Sequence, residues 1–377
     1  METFTNVLLV TANVGSLFNN TVRKYKPQFI ALHFQEVGGK DYMVNMDKAE
    51  SFFSNIESSE EMKEFDRTCI YVDTQFQAED SFTALGSMYF IHKTLKNIYH
   101  YDFNKDFKAV VGQTKYVGSL DGVATVEKEK FPKNFWPDFK WSRKGYMRTR
   151  WLIHNRGLDL VNIHLFHDAS NLIALNSSPS IYSANRKNAL KYVINLLDSR
   201  YTAMPFFLFG DFNFRLDTRT LVQFLTIEAD VVKDVKDSNY EVERITFEER
   251  DNDRQMLLQI EEKLFEYVHQ AVFREDNGRA LLKYDKEVTP FLDAVREEDI
   301  TFPPYPYSED HHKPRQYMNT RCPAWCDRIL MSPTANDFIN RRDYDGEGVF
   351  YNTIGPNVCM GDHKPVFLSF SLKTNNH

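Results

Sequence analysis

Short apolar runs that each break off into polar residues constrain this chain more than any other feature. Val7-Leu8-Leu9-Val10 runs into Thr11-Ala12-Asn13, and Phe29-Ile30-Ala31-Leu32 leads to Gln35-Glu36. Met88-Tyr89-Phe90-Ile91, Leu158 to Ile163, Pro205 to Phe209, Arg328 to Met331 and Val366 to Phe370 behave alike. Runs of this length, rich in β-branched and aromatic residues and bounded by turn formers, read as buried strands. Helical patterns lie between them. Ser183 to Leu197 carries Leu190, Val193, Ile194 and Leu197 on one stripe, and Asp253 to Phe273 carries Leu257, Ile260, Leu264, Tyr267 and Val268 similarly, with Glu and Lys opposite. The charged section from about residue 226 to 300 interrupts the strands and reads as a helical insertion within a single α/β domain spanning 1–377. Pro303-Pro304-Tyr305-Pro306 then forces an extended loop, because proline fixes φ and steers its predecessor away from helix.

Composition narrows the class. With 42% hydrophobic and 14% aromatic residues the chain has the material for a deep core and is not disordered. A net charge of -7 counts against a general nucleic-acid binder, while a small phosphate ester responds to local pocket charge. Cys69, Cys322, Cys326 and Cys359 have neither disulfide nor zinc spacing and read as reduced thiols. No cationic, apolar leader begins the chain and no run approaches the roughly 20 apolar residues of a membrane span. The expectation is a cytoplasmic monomer.

The chemistry sits where the strands end. Gly210-Asp211-Phe212-Asn213 delivers a carboxylate and an amide at alternating positions, suited to orienting a water. Gly361-Asp362-His363-Lys364-Pro365 supplies a histidine for binding phosphate or handling a proton, given a carboxylate to set its tautomer. Trp325-Cys326-Asp327-Arg328 offers that carboxylate. Gln35-Glu36 offers the single carboxylate with which proteins commonly hold Mg²⁺ among waters and substrate phosphates, and Asn13 a neutral oxygen beside it. Asn162-Ile163-His164 places Asn and His on one strand face. Arg143, Lys144, Arg148, Arg150, Arg321, Arg328 and Lys364 are the cations near these motifs, as phosphoryl chemistry requires.

Gly210-Asp211-Phe212-Asn213-Phe214-Arg215-Leu216, Pro323 to Leu330 and Gly361 to Val366 resemble the signature blocks of the inositol polyphosphate 5-phosphatases, and the resemblance runs from Leu8 to about Phe370. It implies a four-layer αββα sandwich, the DNase I-like (endonuclease-exonuclease-phosphatase) fold, and Mg²⁺ as cofactor. Carried over by motif, Glu36 is the metal ligand with Asn13 beside it, Asp211 and Asn213 position the attacking water, and His363 is oriented by Asp327 with Asp362 alongside. His164 lies near the scissile phosphate, while Lys144, Arg150, Arg321, Arg328 and Lys364, with Asn13, join in substrate binding. Asp211 is the preferred general base, with the roles of Asp211 and His363 open to exchange.

Within the family the chain looks most like type I enzymes, which act on soluble inositol phosphates. The motif Asn162 to Asn171 and the stretch Tyr317 to Pro323 carry that likeness. Lipid-hydrolysing relatives have two lysines where this chain has Pro306 and Asn319, which argues for soluble substrates over phosphoinositides. The expected reaction removes the 5-phosphate of inositol 1,4,5-trisphosphate, and also of inositol 1,3,4,5-tetrakisphosphate, ending a calcium-mobilising signal. Rival readings are a lipid 5-phosphatase, a nuclease or sphingomyelinase of the same fold, and a catalytically dead binding scaffold. The last requires a missing acid or histidine, and none is missing. Membrane attachment, at the plasma membrane, is expected only through a lipid anchor beyond His377, since Lys373 to His377 holds no cysteine.

Overall fold

The computed structural model describes residues 4–12, 18–39, 41–135, 143–235, 241–250, 253–308, 316–341, 348–356 and 361–373. Two mixed sheets stack face to face. Across the first run the strands Ile339–Asn340, Val366–Leu372, Thr5–Ala12, Phe29–Phe34, Gly86–Ile91, Arg67–Asp73 and Gln113–Gly118, with Phe350–Thr353 also paired to Val366–Leu372. Across the second run Asp327–Met331, Phe206–Asp211, Arg156–His164, Gly145–Ile153, Ile98–Tyr101 and Phe107–Ala109, with Glu127–Lys130 beside Gly145–Ile153.

Side-chain alternation, the period-2 consequence of strand geometry, sorts the apolar runs into layers. Val7, Leu9, Phe29, Ala31, Tyr89 and Ile91 of the first sheet meet Leu158, Leu160, Phe207, Phe209, Ile329 and Met331 of the second in one core between the sheets. Their neighbours Leu8, Val10, Ile30, Leu32, Met88 and Phe90 point outward, under the helices Phe18–Tyr25 and Tyr42–Glu57. On the far side Val161, Ile163, Leu208 and Leu330 pack against Leu190, Val193 and Leu197 of the Ile181–Ser199 helix. The result is helix, sheet, sheet, helix, the expected sandwich.

The 226–300 segment departs from expectation. In place of an amphipathic helix, Ala229–Val235, Val242–Glu249, Met256–Glu261 and Leu264–Tyr267 form a four-stranded antiparallel sheet. The stripe Leu257-Ile260-Leu264-Tyr267 is interrupted by a turn at Glu262-Lys263, after which Phe265 pairs with Ile260 and Tyr267 with Leu258. Leu258, Ile260, Phe265 and Tyr267, two apart within each strand, enter the central core, joined by Leu257. Short apolar runs satisfy periods of 2 and 3.6 about equally, so tertiary burial decided. The 3₁₀ helices Gln270–Phe273, Glu275–Tyr284 and Thr289–Phe291 come after it, and Arg296 bridges to Met331. No helix among the described residues is long and apolar enough to cross a membrane. Cys69, Cys322 and Cys326 are free and buried; Cys359 lies outside the described residues.

Polar side chains bolt the sheets together beneath one end. The ring of His33 stacks 3.6 Å from that of Phe209, with Nδ1 3.2 Å from Phe209 O and Nε2 3.0 Å from the Tyr89 hydroxyl. Gln35 donates to Asn162 Oδ1 at 2.8 Å and accepts from Thr11 Oγ1 at 3.1 Å. Asn162 Nδ2 donates back to Phe34 O and Gly86 O at 3.1 and 2.8 Å. Asn162 therefore holds the two sheets in register directly below the strand ends where the chemistry is gathered.

Candidate active site

Strand register assembles the centre of the site. In the second sheet His164 pairs with Asp211, and Asp211 with Asp327, so three functional side chains share one rung of adjacent strands about 4.8 Å apart. Parity aims all three the same way: His164 lies in phase with Leu160, Asp211 with Phe209, and Asp327 with Ile329, all on the inter-sheet face. Gly210 permits this close pairing, because a Cβ there would sit 1.9 Å from Ile163 O. Glu36 comes from the facing sheet, just past the Phe29–Phe34 strand, with φ at 54°, a left-handed conformation uncommon for glutamate.

Asp211 is held by Asn213, two residues further along the chain. Asn213, at φ 51°, turns its backbone N–H onto Asp211 Oδ1 and its side-chain amide onto Oδ2, both at 2.8 Å. Arg215 fixes which way that amide faces by donating to Asn213 Oδ1 at 2.8 Å. His164 Nε2 lies 3.3 Å from Asp211 Oδ2 and against Lys144 Nζ, and both His164 Nε2 and Lys144 Nζ are 3.8 Å from Glu36 Oε1. On the other flank His363 Nδ1 lies 2.5 Å from Asp327 Oδ2. The Tyr305 hydroxyl receives the Asp327 N–H at 2.7 Å and donates to Asp327 O at 3.1 Å, anchoring the start of that strand.

The electrostatics arise from this crowding. Burial alone would lower the His363 imidazole, but Asp327, Asp362 and Asp211 outweigh it and raise it to about 10, making it a cation at neutral pH. Asp211 goes the other way: burial would raise it, yet His164, His363 and Lys144 hold it well below the usual carboxylate range. Burial likewise opposes ionisation of Glu36, and Lys144, His164 and Arg143 overcome it, bringing Glu36 to about 2. His164 is lowered by burial and by Lys144, against the pull of Asp211 and Glu36. Asp211 is thus an ionised proton acceptor, His363 a proton-bearing donor, and Glu36 an ionised, partly open carboxylate.

Two places fit a hard divalent cation. Asp211, Asp327 and His363 bring ligand atoms within 4.8 Å of one another. While His363 carries its second proton it donates rather than ligates, so Glu36 fits a metal better, with waters and a phosphate completing its shell. Asn13, its expected neighbour, lies outside the described residues.

Several expected substrate contacts do not belong to this site. Arg150 is five residues along its strand from Gly145, which faces His164, and its parity is outward. There it forms a fork on Asp159, Nε–Oδ1 at 2.7 Å and Nη2–Oδ2 at 3.0 Å, with Arg148 Nη2 on the same carboxylate at 2.8 Å. Arg328 comes directly after Asp327 and so points to the opposite face, where it binds Asp285 at 2.6 Å and Glu297 at 3.1 Å. Both arginines are structural. Lys364 is buried with its ammonium 5.2 Å from the Tyr307 ring centre. Arg321 stays at the rim, near Arg215, and the Asp362 side chain contributes charge beside His363. Arg215, Tyr305 and Asn171 have structural roles here that their motifs did not announce. Arg215, next-but-one to Asn213 in a strand-end motif, was the most accessible of the three to sequence reading.

A fixed, ionised carboxylate, a second one open to a metal and an imidazolium are groups that phosphoester hydrolysis uses, and fold and site together fit a phosphoesterase of the two-sheet class. Residues 10–369 match the Endonuclease/Exonuclease/phosphatase family 2. Inositol polyphosphate-5-phosphatase A of Canis lupus familiaris is 51% identical, covering 98% of this chain and 93% of its own length. A probable type I inositol 1,4,5-trisphosphate 5-phosphatase of Caenorhabditis elegans is 35% identical over 97% of this chain and 99% of its own. In fold the chain is similar to a crystal structure of the inositol polyphosphate 5-phosphatase domain of SPsynaptojanin in complex with inositol (1,4)-bisphosphate and a calcium ion. The TM-score is 0.51 at 13% identity, covering 99% of this chain and 85% of that one. The chain belongs to the inositol polyphosphate 5-phosphatases.

Proposed function

We propose that this enzyme removes the 5-phosphate of soluble inositol polyphosphates, inositol 1,4,5-trisphosphate first and inositol 1,3,4,5-tetrakisphosphate second, with Mg²⁺. The observation that carries the mechanism is the rung His164–Asp211–Asp327 capped by His363. Asp211, ionised and fixed by Asn213, accepts the proton of the attacking water. His363, protonated on Asp327, donates to phosphoryl oxygens as charge spreads over them. Lys144 and His164 line the same space. Glu36 would hold Mg²⁺, which when bound would supply Lewis-acid stabilisation to the phosphoryl group and the departing alkoxide.

Support for soluble substrates comes from Pro306 and Asn319, which stand where a lipid-hydrolysing site would carry lysines. Asn319 is engaged elsewhere, its carbonyl accepting from Phe265 N at 2.6 Å and its amide reaching Glu266 at 3.4 Å. The test is phosphate release from a panel of soluble inositol phosphates and phosphoinositides, beside plasmid DNA, with Mg²⁺ and with chelator. Lipid turnover equal to that of the soluble substrates would overturn the substrate assignment, and DNA cleavage would overturn the class.

A further inference from the structure

The inserted sheet reaches the site through its last turn, and one asparagine makes the joint. Asn171 is 6% exposed. Its backbone N–H donates to Glu262 O at 2.9 Å, in the turn between Met256–Glu261 and Leu264–Tyr267. Its side-chain amide donates to the carbonyls of Glu261, Leu264 and Thr320 at 3.3, 3.0 and 3.1 Å. With the amide protons committed there, only Oδ1 faces Arg321, and it accepts from Nη1 at 2.9 Å.

Arg321 is otherwise held by carbonyls: Glu262 O at 3.1 Å and Asp168 O at 3.0 Å. Among the described residues no carboxylate forms an ion pair with it, Asp168 and Glu262 acting only from longer range, and the side chain of Arg215, whose Nε is buried without an acceptor, is likewise held by a neutral oxygen. Arg321, Arg215 and Lys144 all act on His167, so three cations converge on one rim. Neutral acceptors fix a guanidinium without cancelling its charge, which is the arrangement a polyanion requires.

We propose that Asn171 is a positioning residue for substrate recognition. It clamps Arg321 between the inserted turn and the strand-end loop so that its charge meets a ring phosphate other than the one removed. The inserted sheet is thereby part of the specificity apparatus of this enzyme. The inference rests on the inositol-phosphate reading of the same site.

The test is a double-mutant cycle of Asn171→Ala and Arg321→Ala, with kcat and KM measured on inositol 1,4,5-trisphosphate and on inositol 5-phosphate, and folding followed by thermal melting. Asn171→Ala is expected to raise the trisphosphate KM roughly 10-fold or more, by loosening a charged hydrogen bond, with a smaller change in kcat. In the Arg321→Ala background it should add little, since a residue acting through another shows no independent effect. Should Asn171→Ala fold poorly, Asn171→Ser keeps a donor for the Glu261, Leu264 and Thr320 carbonyls and is too short to reach Arg321; it should lower the trisphosphate-to-monophosphate ratio of kcat/KM by a similar factor. Additive losses, or equal losses on both substrates, would overturn the proposal. Wild-type enzyme that releases no phosphate from the trisphosphate would overturn the functional reading and this inference with it.

Discussion

Arg150→Ala separates the two places this arginine was assigned, the substrate site by motif and the outer sheet face by structure. On the outer face it makes both charged hydrogen bonds to Asp159, whose side chain is 0% exposed and which Arg148 meets as an ion pair. Truncation leaves Asp159 with Arg148 alone and strips the donor from Thr202 O. Breaking a buried pair from one side typically costs about 3–5 kcal/mol, and the surviving Arg148 places this case near about 3. With roughly 2.1 cal/mol/K of unfolding entropy per residue, a 377-residue chain loses about 4 °C of Tm for that change. Arg150 is five residues, about 17 Å, along its strand from the His164–Asp211–Asp327 rung. The mutant should therefore melt earlier while keeping its kcat and KM at a temperature where it is folded. Calorimetry paired with phosphate release is the assay. A kcat/KM reduced more than 10-fold at unchanged Tm would refute the placement.

Asp211→Asn should lower kcat by about 10²–10⁴-fold, the range for one positioned proton acceptor, and leave the far-ultraviolet dichroism unchanged; turnover near wild type would remove Asp211 from the mechanism. Glu36→Gln should raise the Mg²⁺ concentration needed for half-maximal activity, and chelation should abolish wild-type turnover; a mutant with an unaltered metal requirement would move the metal to the Asp211–Asp327–His363 cluster. His33 and His100 are both lowered to about 3 by burial, so the folded state keeps them neutral while the unfolded chain protonates near pH 6.5. Their contribution is complete above pH 6.5 and is lost as pH falls toward 3, at about 1.36 kcal/mol per pH unit each, or roughly 4 kcal/mol together by pH 5. Urea midpoints measured from pH 7.5 to 5 test this, and a flat profile would contradict it.

The site was legible because its residues occupy strand ends in short motifs, where a few local side chains carry the chemistry. Glu36, Asp211, Asn213, His363, Asp327 and His164 are brought to one face as their motifs suggested. Arg150 and Arg328 were not separable from true rim cations by composition, because an arginine beside an acidic motif reads alike on either face of a strand. Their carboxylate partners explain the difference. Asp159 is nine residues from Arg150, and Asp285 and Glu297 are 43 and 31 residues from Arg328. The helical reading of 253–273 failed for a related reason, since Leu257, Ile260 and Leu264 fit a helical stripe until the turn at Glu262-Lys263 folds the second half back.

By itself the sequence determined the alternation of strands and helices outside the insertion, the family and most of the residues that gather at the candidate site, all properties of residues near one another in the chain. Tertiary structure alone decided three things. Register across separate strands set His164, Asp211 and Asp327 on a single rung. Parity sent Arg328 away from Asp327, its chain neighbour. Long-range burial made the insertion a sheet, whose final turn meets Asn171 and Arg321 from about 60 to 90 residues away. Each depends on which face of a strand is buried and against what, and that information is distributed over the whole core.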